Sequence, residues 1–199
     1  MTAQSVRVPF QAAARNLLRA TVIGAVEELV RTRGWAATTM SDVAAAAGVS
    51  RQTLNNEFGS RQALVEAYVT REIESLVAQV TVAVRANADD PHRALRSAFD
   101  LFLKLASDEP IVQLIVSDAE GGELHRLLTE LGQALASDRV ATLIGEVWPQ
   151  VSRADAQLLA ETLVRLAISH ALLPTRDPAA TARDVQRMFA PFVDELLGE

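Results

Sequence analysis

The sequence contains no cysteine, which excludes disulfide bonds, zinc–thiolate sites and cysteine nucleophiles. It also lacks any uninterrupted apolar run approaching the roughly 18–20 residues that a membrane-spanning helix needs. The first ten residues hold one arginine and no apolar segment, unlike a secretory signal. We therefore expect a cytoplasmic protein that makes no contact with a membrane.

Signals for β-strands are nearly absent. Aromatic residues make up only 5% of the chain, alternating apolar and polar runs are few, and no Asn-Gly or Asp-Gly hairpin turn occurs. Helical periodicity dominates instead, and it predicts an all-α fold of about nine helices, including a short one over Ile111–Val116.

The charge is distributed unevenly. The chain has a net charge of −6, yet residues 1–64 hold seven arginines against four acidic residues, and residues 65–199 hold 12 basic against 21 acidic residues. DNA phosphates require a locally positive surface rather than a basic protein. The pattern fits a small DNA-binding segment on an acidic body, although chance gives a local excess of this size about as readily.

A first helix is predicted from about Ala12 to Arg33, with Gly34 at its end. Its apolar face is expected to comprise Leu17, Leu18, Thr21, Val22, Ala25, Leu29 and Val30.

Two helix-capping signals follow. Thr39 can cap a short alanine-rich helix, with Asp42 three residues later as its capping-box partner. Gly48 suits a left-handed turn, and Ser50 can cap a third helix over about Arg51–Phe58. Two short helices joined by a glycine turn are typical of a helix-turn-helix.

The third helix is unusually polar. Only Leu54 and Phe58 are apolar, and their spacing of four places them on one narrow stripe. Arg can bond guanine, Gln and Asn can bond adenine, and Thr can contact the thymine methyl group. The candidate base readers are Arg51, Gln52, Thr53, Asn55 and Asn56. A polar surface helix beside a glycine turn, without DNA binding, is the alternative.

The segment over about residues 12–70 resembles the DNA-binding region of TetR/AcrR-type transcriptional regulators. The resemblance rests on the pattern Gly34…Thr39-x-x-Asp-Val-Ala-x-x-Ala-Gly-Val-Ser-x-x-Thr-Leu-x-x-x-Phe-Gly-Ser-Arg-x-x-Leu64. It implies about nine helices, a homodimer formed by the last two, a ligand pocket in the C-terminal body, and repression released by ligand. The DNA contacts of the family fall on Thr39, Ser50, Arg51, Gln52, Thr53, Asn55, Asn56 and Arg61.

Two positions depart from the family pattern, and a third keeps the charge with a different residue. Asn55 stands where the family usually has Tyr, Glu57 where it has His or Tyr, and Arg61 where it has Lys. Glu57 either faces away from DNA or accepts from a cytosine amine. These differences bear on the operator sequence more than on DNA binding itself.

Two further segments, 56–64 and 163–174, resemble an actinobacterial subgroup associated with alkane-oxidation and fatty-acid genes. This resemblance implies a long-chain acyl compound as a plausible effector.

The predicted domains are a helix-turn-helix domain over residues 1–64 and a ligand-binding and dimerisation domain over residues 65–199. Apolar pockets lie between bundle helices. The candidate pocket residues are Phe99, Phe102, Leu103, Ile111, Leu114, Leu127, Leu131, Leu135, Val164 and Ile168. Ordinary core packing is the alternative for each of them.

The last two predicted helices are apolar on more than one face. This favours four-helix packing across the two-fold axis of a homodimer, with packing inside one chain as the alternative.

The sequence shows no Ser-His-Asp order, glycine-rich phosphate loop or cofactor fingerprint. The group Glu120-x-x-Glu123-x-His125 fits a solvated loop better than a metal site. His170 fits a core or interface histidine, with a partner for a ligand carboxylate as the alternative. We therefore expect no enzymatic activity, no cofactor and no metal.

The predicted function is a homodimeric transcriptional repressor that a small apolar or acyl effector releases from its double-stranded DNA operator. A small helical enzyme and a helical interaction module without a ligand are the alternatives.

Overall fold

The computed structural model describes residues 10–109, 112 and 123–198. The helices in these ranges are α1 (Phe10–Arg33), α2 (Met40–Ala46), α3 (Arg51–Phe58), α4 (Arg61–Arg85), α5 (Pro91–Asp108), α6 (Glu123–Val147), α7 (Arg153–Leu172) and α8 (Pro178–Leu197). The predicted all-α fold class is confirmed, with eight helices and no strand in the described part. The short helix expected over residues 111–116 lies, apart from Val112, outside the described residues.

Local capping explains where the later helices begin. Asp90, Ser152 and Asp177 each accept a hydrogen bond from the backbone N–H three residues on. Pro91 and Pro178 occupy the first turns of α5 and α8, where the missing N–H costs no intrahelical bond.

The chain forms two compact units, one ending at Tyr68 and the other beginning at Val69. The first unit holds α1–α3 and the first turns of α4, and the second holds the rest of α4 and α5–α8. The sequence-based division after residue 64 concerns function and stays a prediction.

The first unit follows the capping signals in the sequence. Thr39 and Asp42 form the predicted capping box, and the Ser50 side chain accepts from the backbone N–H of Thr53. Gly48 has a φ of 67°, the left-handed conformation that the turn between α2 and α3 requires. Both short helices therefore have strong local reasons to start where they do.

The buried face of α1 differs from the expected one. The buried residues are Val22, Ile23, Val26 and Val30, while Thr21 is exposed and Leu17 is 70% exposed. The expectation was wrong at these two positions, because the part of α1 before Val22 contacts α3 through Arg15 and Arg19 and buries no apolar side chain there.

The second unit is built around pairs of closely packed helices, α6 with α7 and α5 with α8. Phe99 and Leu103 of α5 form one core cluster with Ala182 and Val185 of α8. A second cluster joins α6 to α7 through Ile144, Val151, Ala156, Leu159 and Ala160. Removal of these side chains from water stabilises the bundle. None of the described helices is both long and apolar enough to cross a membrane.

Candidate nucleic-acid interface and effector cavity

The helix α3 presents a polar surface above a buried anchor. Leu54 is fully buried and Phe58 is 7% exposed, so the apolar stripe predicted for this helix is confirmed. The expected base readers lie on the accessible side: Arg51, Gln52, Thr53 and Asn56 are exposed and Asn55 is half-buried. The geometry leaves amide, hydroxyl and guanidinium groups available to a ligand outside the protein.

Hydrogen bonds within α3 already join some of these side chains. The Gln52 Nε2 donates to Asn56 Oδ1 at 2.8 Å, and the hydroxyls of Ser50 and Thr53 lie 2.8 Å apart. The Arg51 side chain has no hydrogen-bonding or ionic partner anywhere in the described ranges.

Thr39 is exposed at the start of α2, but its hydroxyl is engaged. It donates to Asp42 Oδ2 at 2.6 Å, and Arg33 lies 3.0 Å from the same carboxylate oxygen. The hydrogen bonds from Thr39, with a further one from Arg33, hold the pKa of Asp42 below its ordinary value. A phosphate contact by the Thr39 hydroxyl therefore requires that hydroxyl to leave Asp42.

Arg61 makes contacts inside the first unit. Its guanidinium lies 4.0 Å from the centroid of the Trp35 ring and donates to the carbonyl oxygens of Trp35 and Thr38, at 2.6 and 3.1 Å. These contacts fix the start of α4 against the loop before α2. A phosphate at Arg61 has to share this guanidinium with them.

Glu57 faces α1. Its carboxylate accepts from Arg15 Nε at 2.9 Å and from Arg19 Nη1 at 2.7 Å, and its side chain is 10% exposed. Arg19 also lies over the Phe58 ring, 4.7 Å from the centroid. Of the two alternatives stated for Glu57, the geometry favours the one in which it faces away from DNA.

The two arginines that hold Glu57 were not predicted from the sequence. Burial acts to raise the pKa of Glu57, but the hydrogen bonds and positive charges of Arg19 and Arg15 outweigh it, so the pKa lies below its ordinary value. The sequence offered two signals for this pairing. Arg15 and Arg19 lie four residues apart, and Glu57 is the single acid of α3. They show pairing only once the packing of α3 on α1 is known.

The second unit contains an apolar cavity of about 180 Å³. It is lined from α4, α5, α6, α7 and α8, by residues that include Val77, Phe102, Val140, Val164 and Leu196. Every described lining residue is apolar. The indole Nε1 of Trp148, the one hydrogen-bonding side-chain group among them, donates to Ala88 O at 3.0 Å. Within the described lining, the cavity therefore suits hydrocarbon rather than a charged group.

Four of the candidate pocket residues line this cavity, and they are Phe99, Phe102, Val164 and Ile168. Leu103 packs with Ala182 and Val185 of α8 and does not line the cavity, whereas Phe99 belongs to the same cluster and also lines the cavity. Leu127 is buried elsewhere in the second unit, and Leu131 is half-buried away from the cavity. Leu135 lines a separate groove between α4 and α6, and Ile111 and Leu114 lie outside the described residues.

Two histidines have defined surroundings. His170 meets Phe99 edge to face, with ring centroids 6.2 Å apart, as expected of a packed histidine. His92 Nε2 lies 2.7 Å from Asp194 Oδ1 and joins the start of α5 to the end of α8. The side chains of the group from Glu120 to His125 lie outside the described residues.

Family models match both parts of the chain. The family described as "Bacterial regulatory proteins, tetR family" matches residues 22–68, and the one described as "Bacterial Tetracyclin repressor, C-terminal domain" matches residues 90–191. The chain belongs to the TetR family. Regulators of the TetR family bind DNA operators, form dimers and respond to small-molecule effectors, and they are not enzymes.

Individual relatives agree with this assignment. The HTH-type transcriptional regulator AlkX of Mycobacterium tuberculosis is 36% identical over 191 residues, which cover 94% of this chain and 90% of the relative. The HTH-type transcriptional activator FasR of Mycolicibacterium smegmatis is 34% identical over 88 residues, 44% of this chain and 40% of the relative.

A solved structure is similar along nearly the whole chain. It is the TetR family repressor AlkX from Dietzia sp. strain DQ12-45-1b, implicated in biodegradation of n-alkanes. The TM-score is 0.76 at 32% identity, covering 90% of this chain and 96% of that chain. The chain is therefore a ligand-responsive, DNA-binding transcriptional regulator of the TetR family, as the sequence predicted.

Proposed function

We propose that this chain is a homodimeric repressor that binds its operator through α3 and leaves it when an apolar effector enters the cavity of the second unit. The observation that supports DNA reading best is the polar, accessible side of α3 above the buried Leu54 and Phe58. Helices of this kind enter the major groove and contact base edges. Because the DNA it controls lies in the bacterial cytoplasm, we place the protein there.

The proposed contacts divide into two groups. Arg51, Gln52, Thr53, Asn55 and Asn56 face the bases. Thr39, Ser50 and Arg61 face phosphates, and these contacts set position rather than sequence. Since Thr39 and Arg61 have partners inside the protein, we expect them to contribute less to DNA affinity than Arg51 and Gln52 do.

Exposed apolar side chains on α7, on α8 and at the residue that follows α7 support the proposed dimer. Leu158, Leu173 and Met188 are each more than half exposed. Large apolar side chains left exposed in one chain can be covered by a partner, and a second copy of α7 and α8 offers a self-complementary one. A two-fold dimer also matches an operator with two half-sites about 34–36 Å apart.

The proposed effector is a small apolar or acyl compound. The apolar lining of the described cavity stabilises an alkyl chain through burial, whereas an unpaired carboxylate there is costly. The Dietzia relative is implicated in n-alkane biodegradation, which agrees with an alkane or a long-chain acyl compound as the inducing ligand.

The direction of control is proposed as repression. The relative described as a repressor matches 90% of this chain, whereas the relative described as an activator matches only 44%. Effector entry would change the spacing of the two DNA-binding units in the dimer. Their recognition helices would then fit the two half-sites less well, and operator affinity would fall.

Footprinting on the DNA upstream of its own gene tests this function. We expect one protected, two-fold symmetric site, and we expect n-hexadecane or palmitate to reduce the protection. Light scattering of the purified protein should give the mass of a dimer. Absence of any protected site would contradict DNA reading, and protection that no alkane or acyl compound alters would contradict the proposed effector class.

A further inference from the structure

A hydrogen bond on the exposed side of α3 joins two of the proposed base readers. Gln52 Nε2 donates to Asn56 Oδ1 at 2.8 Å, and both side chains are exposed. We propose that Asn56 is a positioning residue for Gln52, and that Gln52 so held reads one A·T base pair of the operator. The proposal rests on the DNA-binding function proposed above and assigns different roles to two residues within it.

The chemistry of the amide leads to adenine. A glutamine amide has one acceptor oxygen and a nitrogen with two hydrogens. Asn56 takes one of these hydrogens, so Gln52 keeps one N–H and its oxygen for DNA. Adenine offers an acceptor at N7 and a donor at N6 in the major groove, which this remaining pair matches. Guanine offers two acceptors at the corresponding edge, and so it matches only the N–H.

The bond to Asn56 also decides which end of the Gln52 amide faces which way. Because Asn56 Oδ1 can only accept, it holds the Gln52 nitrogen and leaves the oxygen outward. Without that acceptor an exposed glutamine can turn its amide over, and its donor and acceptor then exchange places. In the arrangement that the structure shows, the Asn56 acceptor thus keeps the Gln52 oxygen available for adenine N6.

The positions along α3 support this division of roles. Recognition helices contact base edges with their N-terminal residues. Gln52 is the second residue of α3, and Asn56 follows four residues later, about 6 Å further along the axis. Asn56 thus lies one turn behind the residue that reaches the bases, on the same side of the helix.

The other polar side chains of α3 do not provide this support. The Thr53 hydroxyl is paired with that of Ser50, and the Glu57 carboxylate is held by Arg15 and Arg19. Asn55 and Arg51 bond to no other side chain in the described part of the protein. Asn56 is therefore the neighbour placed to orient Gln52.

The experiment is a selection of bound duplexes from a library randomised over 30 base pairs, using the full-length protein. The variants are Gln52→Ala, Asn56→Ala, their double variant, and Asn56→Asp, which keeps an acceptor for Gln52. Gln157→Ala is the matched control, because the Gln157 amide likewise donates a hydrogen bond to the side chain four residues later, Glu161 on α7. Fluorescence anisotropy then measures each protein on the wild-type consensus and on its single-base-pair substitutions.

We expect Gln52→Ala and Asn56→Ala to relax the preference at the same base pair, an A·T pair, by roughly 5- to 150-fold. The double variant should lose little more than Gln52→Ala alone. Asn56→Asp should weaken binding to all duplexes, because it adds a negative charge near DNA, yet keep the adenine preference. Gln157→Ala should behave as wild type.

Two results overturn the proposal while the DNA-binding function stands. One is an Asn56→Ala profile relaxed at a different base pair, which would make Asn56 a reader in its own right. The other is a wild-type profile for Asn56→Ala at every position. If wild-type protein enriches no sequence at all, DNA reading itself fails and the proposal fails with it. Equal melting temperatures of wild type, Gln52→Ala and Asn56→Ala would show that these two substitutions act at the surface and leave the fold intact.

Discussion

Replacement of Glu57 by glutamine tests whether α3 is held to α1 by charge. The carboxylate accepts from two arginines at 2.7–2.9 Å, and its own side chain is 10% exposed. Glutamine keeps the shape but can accept at only one of its two terminal atoms, and its NH₂ group faces an arginine N–H. Both arginines donate to Oε1, so glutamine can keep these two hydrogen bonds, but it loses the second bond from Arg15 to Oε2 and the negative charge that attracts both guanidinium groups.

The expected loss in the free energy of unfolding lies between two limits. Hydrogen bonds to charged groups contribute about 1.5–3 kcal/mol each, whereas exposed ion pairs contribute about 0–1 kcal/mol. The side chains of Arg15 and Arg19 are 64% and 38% exposed, so water screens both of them. We expect Glu57→Gln to lower the free energy of unfolding by about 1–2 kcal/mol. For a chain of this size, that lowers the melting temperature by roughly 2–8 °C.

The pH dependence gives a second, independent check. Because the pKa of Glu57 is lowered in the folded state, its contribution is fully present above the ordinary glutamate value of about 4.3. The contribution is lost as the pH falls below that value and through the lowered pKa. The stability difference between wild type and Glu57→Gln should therefore be constant from pH 7 to about pH 5 and shrink in more acid solution.

Urea unfolding followed by circular dichroism at several pH values measures this difference. Glu28→Gln is the control, since Glu28 pairs with Arg31 on the open surface of α1 and its loss should leave the unfolding midpoint unchanged. Equal stability of Glu57→Gln and wild type at pH 7 would show that charge at Glu57 does not hold α3 to α1. So would a difference that persists unchanged in acid.

Three further changes have defined outcomes. Arg61→Ala should lower the free energy of unfolding by about 1–3 kcal/mol, because it removes the stacking on Trp35 and the bonds to two carbonyl oxygens. Arg61→Lys should restore little of this in urea unfolding, and full recovery would show that charge alone matters. Gly132→Ala should stabilise the protein by roughly 0.5–1 kcal/mol, since alanine favours a helix and its Cβ meets Ile168 Cδ1 at an ordinary 3.5 Å. The same change narrows the cavity, so effector affinity measured by calorimetry should fall, and unchanged affinity would place the effector elsewhere. Leu173→Glu combined with Met188→Glu should give a monomer in light scattering and a large loss of operator affinity, whereas a stable dimer would contradict the proposed interface.

The helix-turn-helix was predictable because its signals are local. Thr39 with Asp42, and Ser50 with Thr53, act over three residues, so the sequence contains both partners of each cap. The four-residue spacing of Leu54 and Phe58 likewise depends only on helix geometry.

Features that depend on packing between distant elements could not be predicted in this way. Leu17 has the spacing of a core residue, yet it is exposed because burial in α1 starts at Val22. Glu57 meets Arg15 across 42 residues of sequence. Phe99 and Leu103 are equally apolar and four residues apart, but Phe99 lines the cavity and Leu103 does not. No sequence period distinguishes a cavity wall from a helix contact.

The two tryptophans lie where their intrinsic fluorescence can report on each unit of the protein. The chain has only two. Trp35 lies under the Arg61 guanidinium in the first unit, and Trp148 lines the cavity in the second. Replacing either tryptophan by phenylalanine leaves a single tryptophan. The emission spectrum of Trp148 can then follow occupancy of the cavity, and that of Trp35 can follow DNA binding at the first unit. Stopped-flow fluorescence on this pair of variants would time the two events separately and show which one comes first.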